Sequence, residues 1–241
     1  MSPTAWETPA TQHPLCPTVE DWIFDLDNTL YPASCSLFPQ IDQRMRHFVA
    51  NYLDLSLDEA HRVQKSYYRD HGTTLNGLMT LHGMEPDAFL DFVHDIDHGV
   101  LSPEPRLDEA LSLLPGRKFI FTNGTERHAE KVLAALGLEQ HFQGIFDIRA
   151  ASFRPKPDHA PYETLVRRFG LRAERCAMVE DLQRNLLPAH LLGMTTLWVR
   201  QDDHPDQAHF PTDAASVEPH VDHMTDDLAD WLAGGLKSES S

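Results

Sequence analysis

The sequence predicts an α/β protein with a doubly wound parallel sheet and an all-helical subdomain inserted near its start. Three observations predict it. From about Pro103 onward, short apolar runs alternate with amphipathic stretches of helical length, and alternating β and α segments of these sizes build parallel sheets. From about residue 36 to 100 the apolar residues instead keep a helical period, and nothing reads as a strand. Finally, four apolar runs are each followed by a chemically competent polar group: Asp25/Asp27, Thr122, Lys156 and Glu180/Asp181. Parallel sheets hold their ligands at the carboxyl ends of their strands.

The elements follow in order. Residues 1–18 carry Pro3, Pro9, Pro14 and Pro17 and read as a mobile lead-in. Trp22 to Phe24 is a strand running into Asp25-Leu-Asp-Asn-Thr29, and Pro32 ends that unit. Helices are predicted over 38–53, with Ile41, Met45, Phe48, Val49 and Tyr52 on one face, and over 56–69, opened by the capping box Ser56-x-x-Glu59. Two more cover 74–82 and 86–97. Then come a helix over 107–114, a strand over 116–121, a helix over 126–136 stopped by Gly137, and a strand over 145–148. A helix over 161–169, a strand over 176–179, a helix over 185–192 and a strand over 195–199 complete the alternation. Residues 201–216 read as a polar loop, and Thr225 caps a closing helix that reaches Leu232. The predicted organisation is therefore a Rossmann-like core over 19–35 and 101–235, a helical subdomain over 36–100, and a frayed tail over 236–241.

Composition narrows the functional classes. A net charge of −17 makes polymeric nucleic acid and anionic membrane surfaces poor partners. No apolar run approaches the ~18–20 residues needed to span a bilayer, and the first 17 residues lack the features of a signal peptide. Cys16, Cys35 and Cys176 are scattered, which fits a reducing cytoplasm and offers neither a disulfide framework nor zinc spacing. His204, His209, His220 and His223 also lack ligand spacing and read as part of a solvated loop. The oligomeric state is left open.

Each polar group has an ordinary structural reading as well as a chemical one. Asp25 and Asp27 sit at i and i+2, so both carboxylates point one way as their strand ends; taken alone, an Asp/Asn turn explains them equally well. Thr122-Asn-Gly-Thr125 precedes a helix, where free N–H groups and a hydroxyl suit a phosphate, or where Thr simply caps. Lys156, between Pro155 and Pro157, is either a directed ammonium or a surface lysine. Glu180 and Asp181 offer hard oxygen ligands of the kind magnesium takes, or a helix cap. Type, order and position together favour a site for phosphoryl chemistry.

With Phe24-Asp-Leu-Asp-Asn-Thr-Leu30, Phe121-Thr-Asn-Gly124, Lys156 and Glu180-Asp181, the chain resembles the haloacid dehalogenase superfamily over about residues 22–231. Within it, the chain is similar to the pyrimidine 5′-nucleotidase group at Asp27-Asn-Thr-Leu-Tyr-Pro32, Tyr67-Tyr68-x-x-x-Gly72, Asn76-Gly-Leu78 and Phe89-x-x-x-Val93-His94. The resemblance implies that Asp25 is a nucleophile forming an aspartyl-phosphate and that Asp27 is the acid and base. It implies that Thr122, Asn123 and Gly124 hold phosphoryl oxygens and that Lys156 offsets the accumulated charge. Mg2+ would bind Asp25, the Asp27 carbonyl and Asp181, with Glu180 a ligand or an orienter; Glu-Asp stands where many members have Asp-Asp, and which of the two is the inner ligand stays open.

The helical subdomain would close as a cap and choose the substrate, through Tyr67, Tyr68, His71, Thr74 and Asn76 in a cluster with Arg69 and Thr73. Tyr67 and Tyr68 serve equally well as helix-packing residues. The expected activity is a cytoplasmic, magnesium-dependent phosphoric monoester hydrolase acting on a small-molecule phosphate ester, nucleoside 5′-monophosphates and foremost UMP or CMP. The alternatives are a phosphatase of sugar phosphates or lysophosphatidate, a phosphomutase, or a non-catalytic phosphate-binding protein.

Overall fold

Apolar strand sequences flanked by amphipathic helices bury both faces of a sheet, and that is the architecture found in the computed structural model, which describes residues 18–201 and 216–234. The lead-in, most of the loop after residue 201 with His204 and His209, and the tail lie outside the described residues.

The strands are β1 (Asp21–Phe24), β2 (Arg117–Phe121), β3 (Gly144–Phe146), β4 (Cys176–Glu180), β5 (Thr195–Val199) and β6 (His223–Thr225). All pair in parallel, in the order β3-β2-β1-β4-β5-β6. β1 alternates between two cores: Trp22 and Phe24 enter one apolar cluster, Ile23 the other. Phe24 stands opposite Ile120 of β2 and Val179 of β4. The chain therefore leaves β1 at the level where β2 and β4 also end, at the switch point of the strand order.

Helices α1 (Leu37–Leu53), α2 (Leu57–His71), α3 (Thr74–His82) and α4 (Pro86–Val93) all fall between β1 and β2. They form their own apolar cluster, which includes Ile41, Val49, Leu78, Phe89 and Leu90. The Ser56–Glu59 capping box is complete. Gly77 admits the Tyr67 ring, since a Cβ there would lie 2.5 Å from it. After α5 (Pro105–Leu113), α6 (Glu126–Leu136) starts at Thr125, whose hydroxyl accepts from the His128 N–H. The set closes with α7 (His159–Phe169), α8 (Gln183–Leu191) and α9 (Leu228–Leu232). No helix among the described residues is long and apolar enough to cross a membrane.

Several elements differ from expectation. α4 stops at Val93 rather than residue 97, because His94 leaves helical geometry. β3 ends at Phe146, because the Asp147 carboxylate turns to accept from the Glu126 and Ala150 N–H groups. β6 was not expected at all. It is a three-residue edge strand, too short and polar to carry a period. The closing helix is consequently capped by Asp227 rather than Thr225, which lies in β6. His220 and His223, half-buried, are likewise tied into the folded unit rather than a solvated loop: His220 Nε2 bonds the Gln183 carbonyl at 2.7 Å, and His223 belongs to β6.

Candidate active site

The register brings Asp25, the first residue past β1, beside Glu180, the last of β4, and the Asp25 N–H donates to the Val179 carbonyl at 2.9 Å. Lys156 reaches in from the loop before α7. Its Nζ lies 2.5 Å from Asp25 Oδ1, 2.7 Å from Glu180 Oε1 and 3.0 Å from the Phe121 carbonyl. All three side chains are almost wholly buried. The lysine is aimed by Asn123, whose Oδ1 accepts from the Lys156 N–H at 2.8 Å.

Glu180 is fully committed to its neighbours. Oε1 accepts from Lys156 and from Asn185 Nδ2 at 2.7 Å, and Oε2 accepts from the Leu182 N–H at 2.8 Å. Asp181 is placed differently: the Thr29 hydroxyl lies 3.3 Å from its Oδ1 and 3.0 Å from Asp25 Oδ2, and donates to one of them at a time. Its main-chain carbonyl is tethered by Trp198 Nε1 at 2.9 Å.

The electrostatics follow from three buried carboxylates and one ammonium. Burial raises the Asp25 carboxyl to about 7; Lys156 opposes the shift and Glu180 adds to it. Burial, then Glu180 and Asp25, raises Asp181 well above the usual range. For Glu180 burial is outweighed by Lys156, which leaves it below its ordinary value. Lys156 itself is raised, because Asp25 and Glu180 outweigh its own burial. Oxygen atoms of Asp25, Glu180 and Asp181 lie within 4.8 Å of one another. Hard oxygen donors with more negative than positive charge fit a small divalent cation such as Mg2+.

Asp27 has separate partners. Its Oδ1 accepts from the Tyr31 hydroxyl at 2.5 Å and bonds His128 Nε2 at 2.8 Å. Burial alone would raise this carboxyl, but His128 and Tyr31 hold it at about 2. His128 is stacked on His94, ring centroids 4.6 Å apart, and its Nδ1 lies 3.3 Å from His98 Nε2. Burial, with His128 alongside, depresses His94 to about 3. Gly124 lets these rings approach the chain: a Cβ there would sit 3.1 Å from His128 and 3.6 Å from His94. The Gly124 N–H donates to the buried Thr122 hydroxyl at 2.9 Å.

A cavity of about 180 Å3 joins this cluster to the helical subdomain. Asp25, Asp27, Thr122, Asn123, Gly124, Lys156, Glu180 and Asp181 all line it. Of the residues expected from the helical subdomain, Tyr68, Thr73 and Thr74 line it too, whereas Tyr67, His71 and Asn76 do not. Tyr67 points to His82, its hydroxyl 2.7 Å from Nε2, and Asn76 Nδ2 donates to the His71 carbonyl at 2.8 Å. Tyr68 is held by the guanidinium of Arg184 on α8, which donates to its hydroxyl.

Sequence reasoning missed Asp42, Gln64, Lys65 and His128 near the cavity or Asp27. Gln64 precedes Tyr68 by four residues and so shares its helix face, a signal that was available. His128 lies just inside α6, close after the Thr-Asn-Gly-Thr junction, with nothing in the sequence to pair it to Asp27.

A family model described as haloacid dehalogenase-like hydrolase matches residues 23–193. The chain is 29% identical over 196 residues to phosphate metabolism protein 8 of Saccharomyces cerevisiae, covering 74% of this chain and 60% of that relative, so it spans less than two thirds of the yeast protein. It is 27% identical over 221 residues to phosphoglycolate phosphatase of Mesorhizobium japonicum, covering 87% and 95%. To glyceraldehyde 3-phosphate phosphatase of Methanopyrus kandleri it is 26% identical over 199 residues, covering 76% and 85%. Among solved structures it is similar to a HAD phosphatase from Thermococcus onnurineus, with TM-score 0.57, 17% identity and coverage of 88% and 95%. It is also similar to L-2-haloacid dehalogenase from Xanthobacter autotrophicus, with TM-score 0.54, 16% identity and coverage of 92% and 100%. At these identities the structural likeness concerns the fold.

Proposed function

We propose that the chain, which belongs to the haloacid dehalogenase-like hydrolase family, is a magnesium-dependent phosphatase of nucleoside 5′-monophosphates, UMP and CMP foremost. The observation that carries the phosphatase reading is the pair Asp25 and Asp27, two carboxylates two residues apart with opposite surroundings. Asp25, beside Lys156, attacks phosphorus and forms an aspartyl-phosphate as the ester O–P bond breaks. Asp27 delivers a proton to the leaving oxygen, then takes one from the water that attacks the phosphoenzyme. Its partners His128 and Tyr31 favour the ionised form, the one the second step needs; a phosphate dianion arriving alongside raises its proton affinity for the first. A halide leaves without a proton, so Asp27 with these partners suits an ester rather than a haloacid.

Thr122 and the Asn123 N–H hold the phosphoryl oxygens, joined by the Gly124 N–H when it exchanges the Thr122 hydroxyl for phosphate, and Lys156 offsets their charge. Asp25, Asp181 and the Asp27 carbonyl would hold Mg2+, with Glu180 orienting Lys156, since both Glu180 oxygens are already engaged. Bound there, the ion supplies positive charge to the phosphoryl oxygens.

The helical unit, residues 36–100, acts as a cap that excludes water and selects the substrate. Its share of the cavity is mostly apolar, with Phe38, Ile41, Met45, Phe89 and Leu90. A flat heterocycle is at home between such walls, whereas each hydroxyl of a sugar needs its own partner. A second reading, a small non-nucleotide phosphometabolite, is favoured by the names of the relatives, phosphoglycolate phosphatase and glyceraldehyde 3-phosphate phosphatase. We place the enzyme in the cytoplasm on its scattered cysteines, of which Cys35 and Cys176 are free thiols.

The test is phosphate release from UMP, CMP, AMP, sugar phosphates and 4-nitrophenyl phosphate, with Mg2+ and with chelator, by wild type and Asp25→Asn. Mg2+-dependent release led by UMP and CMP and abolished in Asp25→Asn is expected. Sugar phosphates leading would keep the mechanism and sink the substrate. Release surviving in Asp25→Asn would sink the mechanism.

A further inference from the structure

We infer that Gln64 is the residue that reads the substrate base, its Oε1 accepting an N–H from the ring edge: N3–H of uracil or the N4 amino group of cytosine. The inference rests on the nucleotide reading above and adds to it the atom that recognises the base.

α2 is a polar helix, and its described side chains are mostly exposed or half-buried. Gln64 is the exception among its polar residues, 1% exposed. A buried carboxamide is retained only where its polar atoms find partners. Half of this one is satisfied: Nε2 donates to Asp42 Oδ1 at 2.9 Å and to the Asp42 carbonyl at 3.2 Å. Both contacts are acceptors, so the assignment of nitrogen and oxygen in the amide is unambiguous. The oxygen is therefore an acceptor, and it has no hydrogen-bond partner among the described residues.

Two further contacts hold this arrangement. Lys65 Nζ bonds Asp42 Oδ1 at 2.6 Å, which holds the carboxylate that holds Gln64. The Gln64 main-chain carbonyl accepts from the Thr74 hydroxyl at 3.3 Å. Gln64 lines the same cavity as Asp25; its oxygen is closed to solvent in this structure, so a base seated with its phosphate at Asp25 must displace the side chains packed over that oxygen to reach it.

The unmatched acceptor selects a class of substrate. An acyl chain offers it no donor and would bury it unsatisfied. A ring with one donor edge and two apolar faces satisfies it while the cap's apolar walls cover the faces. Uracil and cytosine both carry such a donor, at adjacent ring positions, and one carboxamide oxygen serves either.

The experiment compares kcat/KM for UMP and N3-methyl-UMP, in which a methyl group replaces the donor, using the full chain with Mg2+. Wild type is expected to favour UMP by about 10- to 100-fold. In Gln64→Met, similar in length but unable to accept, the ratio should fall to near one because UMP turnover drops; Gln64→Leu replaces it if the methionine variant does not fold. Equal use of both substrates by wild type overturns the inference whatever the variants do. So does an undiminished preference in the variant, which would mean that the methyl group is merely too large. Hydrolysis of 4-nitrophenyl phosphate with none of UMP or CMP sinks the nucleotide reading and this inference together, whereas hydrolysis of UMP without discrimination sinks this inference alone.

Discussion

Replacing Lys156 by methionine removes the one ammonium among three buried carboxylates while nearly keeping its volume. The lysine makes contacts of 2.5 Å to Asp25 and 2.7 Å to Glu180 in a site closed to solvent. Removing one partner of a buried ion pair costs about 3–5 kcal/mol, because the other partner stays buried and unpaired. For a chain of this size each kcal/mol is worth roughly 2–4 °C, so Tm should fall by about 6–20 °C. The loss has a pH signature. The folded-state Asp25 is already raised to about 7 from 3.8. A raised carboxyl binds its proton more tightly in the folded than in the unfolded chain, so stability falls as pH rises between those values. Without Lys156 the raised range extends further upward, and Lys156→Met should be closest to wild type near pH 5 and furthest from it at pH 8. Thermal melts of both proteins in chelator at the two pH values provide the assay. A variant within about 2 °C of wild type at pH 8 would refute the claim that this ammonium neutralises the cluster.

Asp27→Asn should slow single-turnover cleavage of UMP by about 10²–10⁴-fold while slowing 4-nitrophenyl phosphate far less, since nitrophenolate leaves unprotonated; equal losses would count against Asp27 as the proton donor. His94→Gln should flatten acid unfolding. Folded His94 is depressed to about 3, amid His128, His98 and Asp27, whereas the unfolded side chain takes a proton below about 6.5. The folded state therefore binds fewer protons, and stability declines as pH falls from about 6.5 towards 3. Urea midpoints followed by circular dichroism over that range should drop less steeply in the variant, and parallel curves would remove His94 as a source of acid lability.

What the sequence reveals about this site, and what it hides, divides along one physical line. Asp25/Asp27, Thr122 and Glu180/Asp181 were legible because each is fixed by local chain direction: an apolar run sets the strand, and the residues at its end must emerge at the ligand-binding edge; Lys156, in the loop ten residues past β3, was legible only through its flanking prolines. Helices α3 and α6 were legible to the residue, because Thr and Gly cap their ends. Contacts between distant elements were not. Asp27 and His128 are 101 positions apart, and no period links a carboxylate after β1 to a ring on α6. The edge strand β6 forms only because β5 offers it a ladder, so three residues without a pattern become a strand by pairing alone. The tyrosine pair shows the same division. Adjacent residues on a helix diverge by about 100°, so only one of Tyr67 and Tyr68 can face the cavity. Helix α2, polar nearly all round, has no apolar stripe to say which. The answer lay one turn earlier: Ala60 and Gln64 are the buried positions of α2, and Tyr68 continues that i, i+4 row. A buried glutamine within a polar helix is therefore the feature that orients the helix, and the same burial leaves its oxygen short of a donor.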